Sequence, residues 1–328
     1  MCVMRTLQIG WVAFLCIAGC GDDSSGMSAD AGGLDVFAEV DAANDSGVDA
    51  SDAESDAGVD APPMDAGPRF VGGERPASFA VPRGYDPAVP APLLIVLHGF
   101  GASGPLQDLY FDTQLRASEH GMLLVYPDGT ENAGGSLFWH APDTCCDPVG
   151  ESPDDVAYIV SLIDDMDELF NVDRRRVYLY GHSNGAFMSY RIACDAPEAI
   201  TAIASLAGAT VFDEAGCTPS VATSVLQIHG TMDERIPLEG GEIFGVPFPG
   251  AVESVRRHAL FAGCGETVDG DAFEFTYPEG TQTRVSRYED CDEGFGAELW
   301  TIDDGGHVPG LRFDASDRVL TWLEQWSR

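Results

Sequence analysis

The stretch Arg176-Val-Tyr-Leu-Tyr-Gly-His-Ser-Asn-Gly-Ala-Phe-Met-Ser-Tyr190 decides the fold of this chain. Residues 177–180 are β-branched and aromatic, which predicts a buried strand. Gly181-His-Ser-Asn-Gly185 follows without a spacer, and residues 186–194 predict a helix. Strand, G-x-S-x-G and helix in this order are typical of a nucleophile elbow, a tight turn that exposes the serine hydroxyl at the N-terminus of a helix. Ser183 is therefore the candidate nucleophile, and the flanking strand and helix favour it over a chance match in a glycine-rich chain.

The charge balance is strongly acidic and excludes several classes of partner. The chain has 328 residues, with 54 Asp and Glu against 17 basic residues, all of them arginine, so the formal net charge is −37. Nucleic-acid binding requires basic patches that release counterions, so nucleic acid is excluded as a partner and polyanionic substrates are disfavoured. No set of His, Cys, Asp and Glu has the spacing of a metal site, so neither a metal nor another cofactor is expected.

Residues 1–20 have the features of an export signal. Arg5 provides the positive charge, residues 9–18 are apolar, and Ile17-Ala-Gly-Cys20 resembles a bacterial lipobox. We expect lipid attachment at Cys20, with an ordinary cleaved signal peptide as the alternative. Residues 21–68 contain 13 Asp or Glu and no basic residue, which predicts a disordered acidic linker. The expected protein is exported, as a lipoprotein at the cell envelope or in secreted form, with its catalytic domain at residues 69–328.

Short apolar runs alternate with amphipathic segments beyond residue 69. A continuous apolar run such as residues 93–97 is typical of a parallel strand buried on both faces. Strands that alternate with helices predict an α/β fold, a mostly parallel sheet with helices on both faces, here the α/β-hydrolase fold. Strands are predicted at residues 77–81, 93–97, 122–126, 177–180, 202–206, 225–228 and 298–302, and helices at residues 106–120, 154–171, 186–194 and 311–327.

The order of candidate catalytic residues fits the same fold. In α/β-hydrolases an acid and then a histidine follow the serine, each on a loop after a strand. Asp233 follows the predicted strand 225–228, and His307 follows the strand 298–302 after two glycines. We expect Ser183 to attack a carbonyl carbon, His307 to transfer the proton, and Asp233 to hold the imidazole tautomer. Neighbouring acids and other histidines are expected to be solvated or structural: Glu234, Asp303, Asp304, His98, His182 and His229.

An oxyanion hole requires two donors directed at the developing negative charge. The backbone N–H of Asn184, the residue after the nucleophile, is the first candidate. The second is expected from the loop His98-Gly99-Phe100-Gly101 after the strand 93–97, with Phe100 N–H as the donor. The alternative is that this segment is only a glycine-rich connection.

An ordered set of motifs connects residues 75–328 to one family. The motifs are Leu97-His-Gly99, Asp154-Asp-Val-Ala-Tyr158, Arg175-Arg-Val-Tyr-Leu-Tyr-Gly-His-Ser-Asn-Gly185, His229-Gly-Thr-Met-Asp233 and Gly305-Gly-His307. Together they resemble the polyhydroxybutyrate depolymerase family of esterases, which includes lipoproteins and carbohydrate esterases such as feruloyl and acetylxylan esterases. The resemblance implies a secreted serine esterase. Trp139 and Cys145-Cys146 also resemble this family's tryptophan and double-cysteine loop.

Six of the nine cysteines lie in the expected catalytic domain, an even number that suits an oxidising compartment. Six cysteines allow 15 pairings. In the light of the resemblance, the positions around the elbow helix favour Cys194–Cys217, and those before the strand of His307 favour Cys264–Cys291. Cys145 and Cys146 remain, and a vicinal bridge between them is expected.

The sequence thus predicts a monomeric serine ester hydrolase that works through an acyl-enzyme. The expected substrates are polyhydroxyalkanoate-type or feruloyl-polysaccharide esters, with acetylxylan or general short-chain carboxylesterase activity as the alternative. A catalytically silent glycan-binding surface lipoprotein is the alternative from another class. Loop 130–152 and segment 237–261 are expected to cover the pocket, and Trp139 and His140 are candidate substrate contacts.

Overall fold

The structure is a computed structural model that describes residues 70–141, 145–146 and 150–328. The predicted signal peptide, the lipidation candidate Cys20 and the acidic linker lie outside the described residues. Within the described part, no helix has the length and apolarity needed to cross a membrane.

Strands and helices alternate through most of the described chain. The strands are β1 (Phe70–Val71), β2 (Ala77–Ala80), β3 (Ala91–Leu97), β4 (Leu123–Tyr126), β5 (Thr130–Glu131), β6 (Leu137–Phe138), β7 (Val172–His182), β8 (Ala202–Leu206), β9 (Ser224–Gly230), β10 (Gly240–Ile243), β11 (Val246–Pro249), β12 (Thr267–Phe273), β13 (Thr283–Tyr288) and β14 (Ala297–Ile302). The α-helices are α1 (Gly104–Phe111), α2 (Thr113–Glu119), α3 (Asp155–Leu169), α4 (Asn184–Asp195), α5 (Ala251–Phe261) and α6 (Ala315–Leu323).

Ten strands form one sheet in the order β1-β2-β4-β3-β7-β8-β9-β14-β13-β12. The strands from β4 to β14 in this order are parallel to their neighbours. The two strands at each edge are antiparallel. The carboxyl ends of the parallel strands therefore meet at one edge of the sheet, where the loops after β3, β7, β9 and β14 converge. The predicted mostly parallel α/β architecture is confirmed.

Helices cover both faces of the sheet because β3 is apolar at every position that faces them. Leu93, Ile95 and Leu97 pack in the core on the side of α3 and α4. Leu94 and Val96 pack in the core on the side of α1, α2 and α6. All five side chains are fully buried, and each such burial contributes about 1.5–3 kcal/mol. The sheet is thereby a rigid platform for the loops at its carboxyl edge.

The helix predicted at residues 106–120 is two helices, which is a correction. Asp112 has a left-handed backbone (φ 55°) between α1 and α2. The Asp108 carboxylate accepts hydrogen bonds from Thr113 Oγ1 (2.6 Å) and from Gln114 N–H (2.7 Å). Short polar side chains compete in this way for the N–H groups that a continuous helix would use. The apolar residues keep their helical spacing across the break, so the sequence pattern predicts one continuous helix.

The β10–β11 hairpin and α5 were not among the predicted elements. The hairpin turns at Phe244 and Gly245, both with positive φ (52° and 80°), the backbone of a type I′ turn. Such turns are usually marked by Asn-Gly or Asp-Gly, and a phenylalanine in the left-handed region gives no sequence signal. The hairpin carries the 71% exposed side chain of Phe244 to the carboxyl edge of the sheet.

Three disulfides are present in the described residues, joining Cys145 to Cys146, Cys194 to Cys217, and Cys264 to Cys291. These are the pairs expected from the sequence. Cys194 lies in α4, so its bridge ties the elbow helix to the chain segment before β9. Closing the loop between Cys194 and Cys217 lowers the entropy of the unfolded chain, which stabilises the folded state by about 3 kcal/mol.

A histidine between α2 and α6 makes stability sensitive to alkaline pH. His120 contacts the carboxylates of Glu324 and Asp317, each at 2.8 Å. The hydrogen bond to Glu324 raises the pKa of His120 to about 9, because that bond and the one to Asp317 outweigh the cost of burial. The folded protein therefore holds a proton that the unfolded chain releases near pH 6.5. The contribution of His120 to the free energy of unfolding is complete below pH 6.5 and is lost as the pH rises through about 9.

We expect the free energy of unfolding to fall by about 1 kcal/mol between pH 6.5 and 9.5, or about 2–4 °C in Tm. The chain has no lysine, so few other groups titrate in this range. Thermal melts of His120→Gln should be lower at pH 6.5 and nearly flat across the same range, and Glu324→Gln should give an intermediate slope. An unchanged slope in His120→Gln would contradict the assignment.

Candidate active site

Ser183 sits in a strained turn between β7 and α4. Its φ and ψ are 52° and −119°, a conformation that costs on the order of 1–3 kcal/mol for a residue with a side chain. Its N–H donates to the carbonyl oxygen of Leu206 on β8 (2.8 Å). A Cβ at Gly181 would collide with the carbonyl group of Gly185, and a Cβ at Gly185 with that of Leu97. Both glycines are therefore required by the close approach of the elbow to its neighbours.

His307 lies between the serine and the acid. Its Nε2 is 2.9 Å from Ser183 Oγ, and its Nδ1 is 2.8 Å from Asp233 Oδ2. Asp233 follows β9 and His307 follows β14, and these two strands are parallel neighbours in the sheet. The structure thus brings the three predicted catalytic side chains into one continuous hydrogen-bonded chain. The Nδ1–H donates to Asp233, which leaves Nε2 free to accept the serine proton.

The loops of the acid and the base are joined through their backbones. Met232 N–H donates to the carbonyl oxygen of Gly305 (2.8 Å), and Thr231 N–H donates to that of Ile302 (3.0 Å). A Cβ at Gly230 would overlap the carbonyl group of Gly305. This close approach of two backbones sets the distance between the loops of Asp233 and His307.

Asp233 is held in the ionised form by its hydrogen bonds. Burial alone would raise the pKa of its carboxyl, but the bonds from His307 and from the Ile236 N–H outweigh burial and lower that pKa below its usual value. Oδ1 accepts from the N–H groups of Arg235 (2.9 Å) and Ile236 (2.8 Å), while Oδ2 faces His307. The carboxylate can therefore stabilise an imidazolium on His307.

The alternative acids of the sequence lie elsewhere. Glu234 is exposed, and Asp303 forms an ion pair with Arg284 (2.8 Å). Asp304 donates its backbone N–H to Thr231 Oγ1 (2.9 Å). Among the described carboxylates, Asp233 is the one within hydrogen-bond distance of the His307 ring.

Three further histidines near the site support its backbone. Burial lowers the pKa of His182 to about 4, and its Nε2–H donates to the carbonyl oxygen of His307 (3.0 Å). His229 contacts the carbonyl oxygen of Ile236 through Nε2 (2.7 Å). His98 accepts from the N–H of Gly129 (2.8 Å) through Nε2. Each ring is buried and anchors a loop, as expected for structural histidines.

Trp139 and His140 are placed differently from the prediction that they contact substrate. Trp139 is fully buried, and neither residue borders the pocket above Ser183. The Trp139 indole N–H donates to the carbonyl oxygen of His98 (3.0 Å). Its backbone N–H donates to Asn184 Oδ1 (2.7 Å), and its carbonyl accepts from Asn184 Nδ2 (2.9 Å). Trp139 therefore joins the loop after β3 to the first residue of α4, the two segments that carry the candidate oxyanion donors.

A half-buried ion pair between Arg75 and Asp155 packs beside Trp139. Asp155 accepts from Arg75 Nη1 (2.6 Å) through Oδ1 and from the His140 N–H (2.7 Å) through Oδ2. The Arg75 guanidinium lies 3.8 Å from the centre of the Tyr158 ring. In the sequence, the motif at residues 154–158 that contains Asp155 stands out only through the family resemblance. An acid at the start of an amphipathic helix, such as Asp155, is equally typical of a helix N-terminus without a special role.

We predict that Trp139→Phe lowers kcat about tenfold to thirtyfold with little change in KM, because loss of a whole oxyanion donor costs ~10²–10³ and this change only loosens one. Binding of phenylboronic acid, which forms a tetrahedral adduct on a catalytic serine, should weaken by the same factor. Trp322→Phe is the control, since Trp322 is buried and its indole N–H has no partner among the described residues. Equal losses in the two variants would assign Trp139 to packing alone.

A pocket of about 510 Å³ opens above Ser183 and His307. Its wall is largely apolar and includes Phe100, Leu106, Tyr110, Ile243, Phe244 and Val308. Phe244 and Ile243 come from the hairpin, as expected for segment 237–261, and Cys146 comes from the loop 130–152. Tyr110 donates its hydroxyl to the carbonyl oxygen of Pro309 (2.8 Å). An apolar or aryl group next to an ester carbonyl would fill such a space.

Residues 85–245 match the family model described as phospholipase/carboxylesterase. The fold is also that of the solved acetyl xylan esterase from Aspergillus awamori, with a TM-score of 0.52, 14% identity and coverage of 76% of this chain and 94% of that one. The chain has the α/β-hydrolase fold. This finding confirms the predicted fold class. In that fold the nucleophile lies between a strand and a helix, as Ser183 lies between β7 and α4.

Among curated proteins, this α/β-hydrolase is similar to esterases. The putative esterase NocK of Nocardia uniformis subsp. tsuyamanensis is 27% identical over 256 residues, which cover 72% of this chain and 73% of that protein. Feruloyl esterase C of Emericella nidulans is 27% identical over 215 residues, or 59% of this chain and 73% of that protein. The α/β-hydrolase is thus a carboxylic ester hydrolase. The narrower resemblance to polyhydroxybutyrate depolymerases stays a prediction.

Proposed function

We propose that this protein is an exported serine esterase that cleaves esters with an apolar or aryl acyl group through an acyl-enzyme. The observation that carries the proposal is the hydrogen-bonded chain from Ser183 Oγ through His307 to Asp233. Ser183 and His307 line a largely apolar pocket. Polyhydroxyalkanoate-type and feruloyl-polysaccharide esters both have acyl groups of this kind, and the similarity to a feruloyl esterase supports the second.

The geometry supports the usual two-step reaction. Ser183 Oγ attacks the ester carbonyl while its proton passes to His307 Nε2, 2.9 Å away. His307 then protonates the leaving alcohol, and the acyl group remains on Ser183. A water molecule then takes the place of the alcohol and attacks the acyl carbon while one of its protons passes to His307. His307 returns this proton to Ser183 Oγ as the bond from Oγ to the acyl carbon breaks, which releases the acid and restores the free enzyme. Asp233 stays ionised throughout and balances the imidazolium.

Two backbone donors would hold the negative charge on the carbonyl oxygen. Asn184 is the first residue of α4, so its N–H has no acceptor within the helix. Phe100 lies on the pocket wall in the loop after β3, and no described residue accepts a hydrogen bond from its N–H. Trp139 holds both segments, which is the preorganisation that oxyanion stabilisation requires.

A panel of esters tests the proposal and ranks the substrates. The purified chain is assayed on p-nitrophenyl acetate, p-nitrophenyl ferulate, feruloylated and acetylated xylan, and polyhydroxybutyrate. We expect hydrolysis of the aryl esters and faster release of ferulate than of acetate from xylan. Faster release of acetate would favour an acetylxylan or short-chain carboxylesterase. A folded chain that hydrolyses none of these and binds xylan would be the silent glycan-binding protein.

Export and lipid attachment at Cys20 are part of the same proposal. Three disulfides in the described residues fit an oxidising compartment. Labelled fatty acid fed to expressing cells should appear on the protein, and Cys20→Ser should abolish the label. Label that persists in this variant would disprove the anchor while leaving the esterase proposal intact.

A further inference from the structure

The pocket above Ser183 has a charge pattern opposite to that of the chain. The chain as a whole has 54 acidic residues and 17 arginines. None of the described residues that line the pocket is acidic, and one of them, Arg235, is a permanent cation. The two histidines of the wall differ from it, because His182 is neutral (its pKa is lowered to about 4 by burial) and His307 is the base.

Arg235 also differs from most arginines of this protein in lacking a carboxylate partner. Of the 15 arginines in the described residues, 12 form ion pairs with Asp or Glu. The exceptions are Arg83, Arg235 and Arg328. Arg83 borders a different groove, and Arg328 donates to backbone carbonyls of Pro197 and Ala222. Among the described arginines, Arg235 is thus the one that lines the pocket above Ser183 and has no carboxylate partner.

The backbone holds Arg235 beside the catalytic acid. Its N–H donates to Asp233 Oδ1 (2.9 Å), and the next residue, Ile236, donates to the same oxygen (2.8 Å). The residue is exposed and lines the pocket. At physiological salt the field of exposed charges is screened within about 8 Å. Charges on the far side of the molecule are therefore screened from a group bound in the pocket.

We propose that Arg235 forms a subsite for a carboxylate, so that the enzyme prefers esters that carry one negative charge over neutral esters of the same size. The proposal rests on the esterase function and names a feature of its substrate. A guanidinium binds a carboxylate through two parallel N–H···O bonds. An ester of a hydroxy acid whose far end is a free acid has such a group, and a neutral acylated sugar does not.

Two matched pairs of esters test the subsite on the acyl and the alcohol side. The acyl pair is mono-p-nitrophenyl glutarate against p-nitrophenyl pentanoate. The alcohol pair is 4-acetoxybenzoate against phenyl acetate. Each variant is compared with wild type on the same ester, which cancels the intrinsic reactivity of the substrates. Arg235→Gln should lower kcat/KM for the anionic member of at least one pair about tenfold, the value of one charge-assisted contact, and leave both neutral esters within twofold.

Arg83→Gln is the matched control, because it removes the same charge from another groove. It should leave all four esters unchanged, and Arg235→Lys should retain part of the preference. The proposal is overturned if Arg235→Gln affects anionic and neutral esters equally, or if it affects neither. It is also overturned if Arg83→Gln has the same selective effect, since the preference would then come from net charge. Absence of hydrolysis of the neutral esters by wild type would instead contradict the esterase function.

Discussion

Replacing Ser183 with alanine should lower kcat for p-nitrophenyl acetate by about 10⁶-fold with little change in KM. The serine oxygen is the atom that forms the covalent bond, so no neighbouring group can supply it, and the residual rate comes from binding and the oxyanion donors. The measurement is steady-state release of p-nitrophenolate, together with mass spectrometry after an organophosphonate label. Wild type should gain one adduct on Ser183, and Ser183→Ala should gain none.

Folding is checked separately, because the elbow is strained. Near-ultraviolet circular dichroism and the Tm of Ser183→Ala should match those of wild type, since alanine meets the same backbone strain as serine. Ser161→Ala removes a hydroxyl from the exposed face of α3 and should leave kcat unchanged. A folded Ser183→Ala protein with more than about 1% of the wild-type kcat would exclude Ser183 as the nucleophile.

Asp233→Asn should lower kcat about 10⁴-fold without unfolding the protein. An asparagine amide placed 2.8 Å from His307 Nδ1 can donate a hydrogen bond to that nitrogen. The imidazole proton then moves to Nε2, which faces Ser183 and can no longer accept its proton. The substitution also removes the charge that balances the imidazolium. The measurement is kcat across the pH range, with KM as the check that substrate binding is retained.

The alternative acids provide matched controls for Asp233. Glu234→Gln changes the adjacent exposed residue, and Asp303→Asn changes a residue that is paired with Arg284. The kcat of both variants should stay within about twofold of the wild-type value, because substitutions of surface charges usually have small effects. A loss in Glu234→Gln as large as that in Asp233→Asn would show that the acid was assigned to the wrong residue.

Much of this architecture was predictable because it is encoded locally. A pentapeptide between a strand and a helix identified the elbow, and the chain order of Ser183, Asp233 and His307 indicated which loops converge. Strand β8 has the bounds that its apolar run predicts. Such features depend on residues close in sequence and on the rule that parallel strands end at one edge of a sheet.

Other features depend on contacts that no short window contains. The aromatic loop that contains Trp139 predicts a pocket wall. Instead Trp139 is buried through hydrogen bonds to Asn184 and His98, which are 45 and 41 residues away in the sequence. The hairpin turn at Phe244 uses a residue with no turn propensity. The break at Asp112 depends on the side chain of Asp108 competing with helix hydrogen bonds. In each case a tertiary or side-chain contact outweighs the local pattern.

The contact between Gly230 and Gly305 has a consequence for how such an enzyme can diversify. The chain leaves the sheet after the first glycine, at the end of β9, and returns to it at β12, so the residues between β9 and β12 form an excursion from the sheet. That excursion includes Arg235 and the hairpin with Phe244. Because the contact of Gly230 with Gly305 is a backbone contact made outside the hairpin and α5, mutations, insertions or deletions in these two elements can remodel the pocket while the acid and the base keep their register. Substrate choice and catalytic competence can therefore evolve on separate parts of one chain.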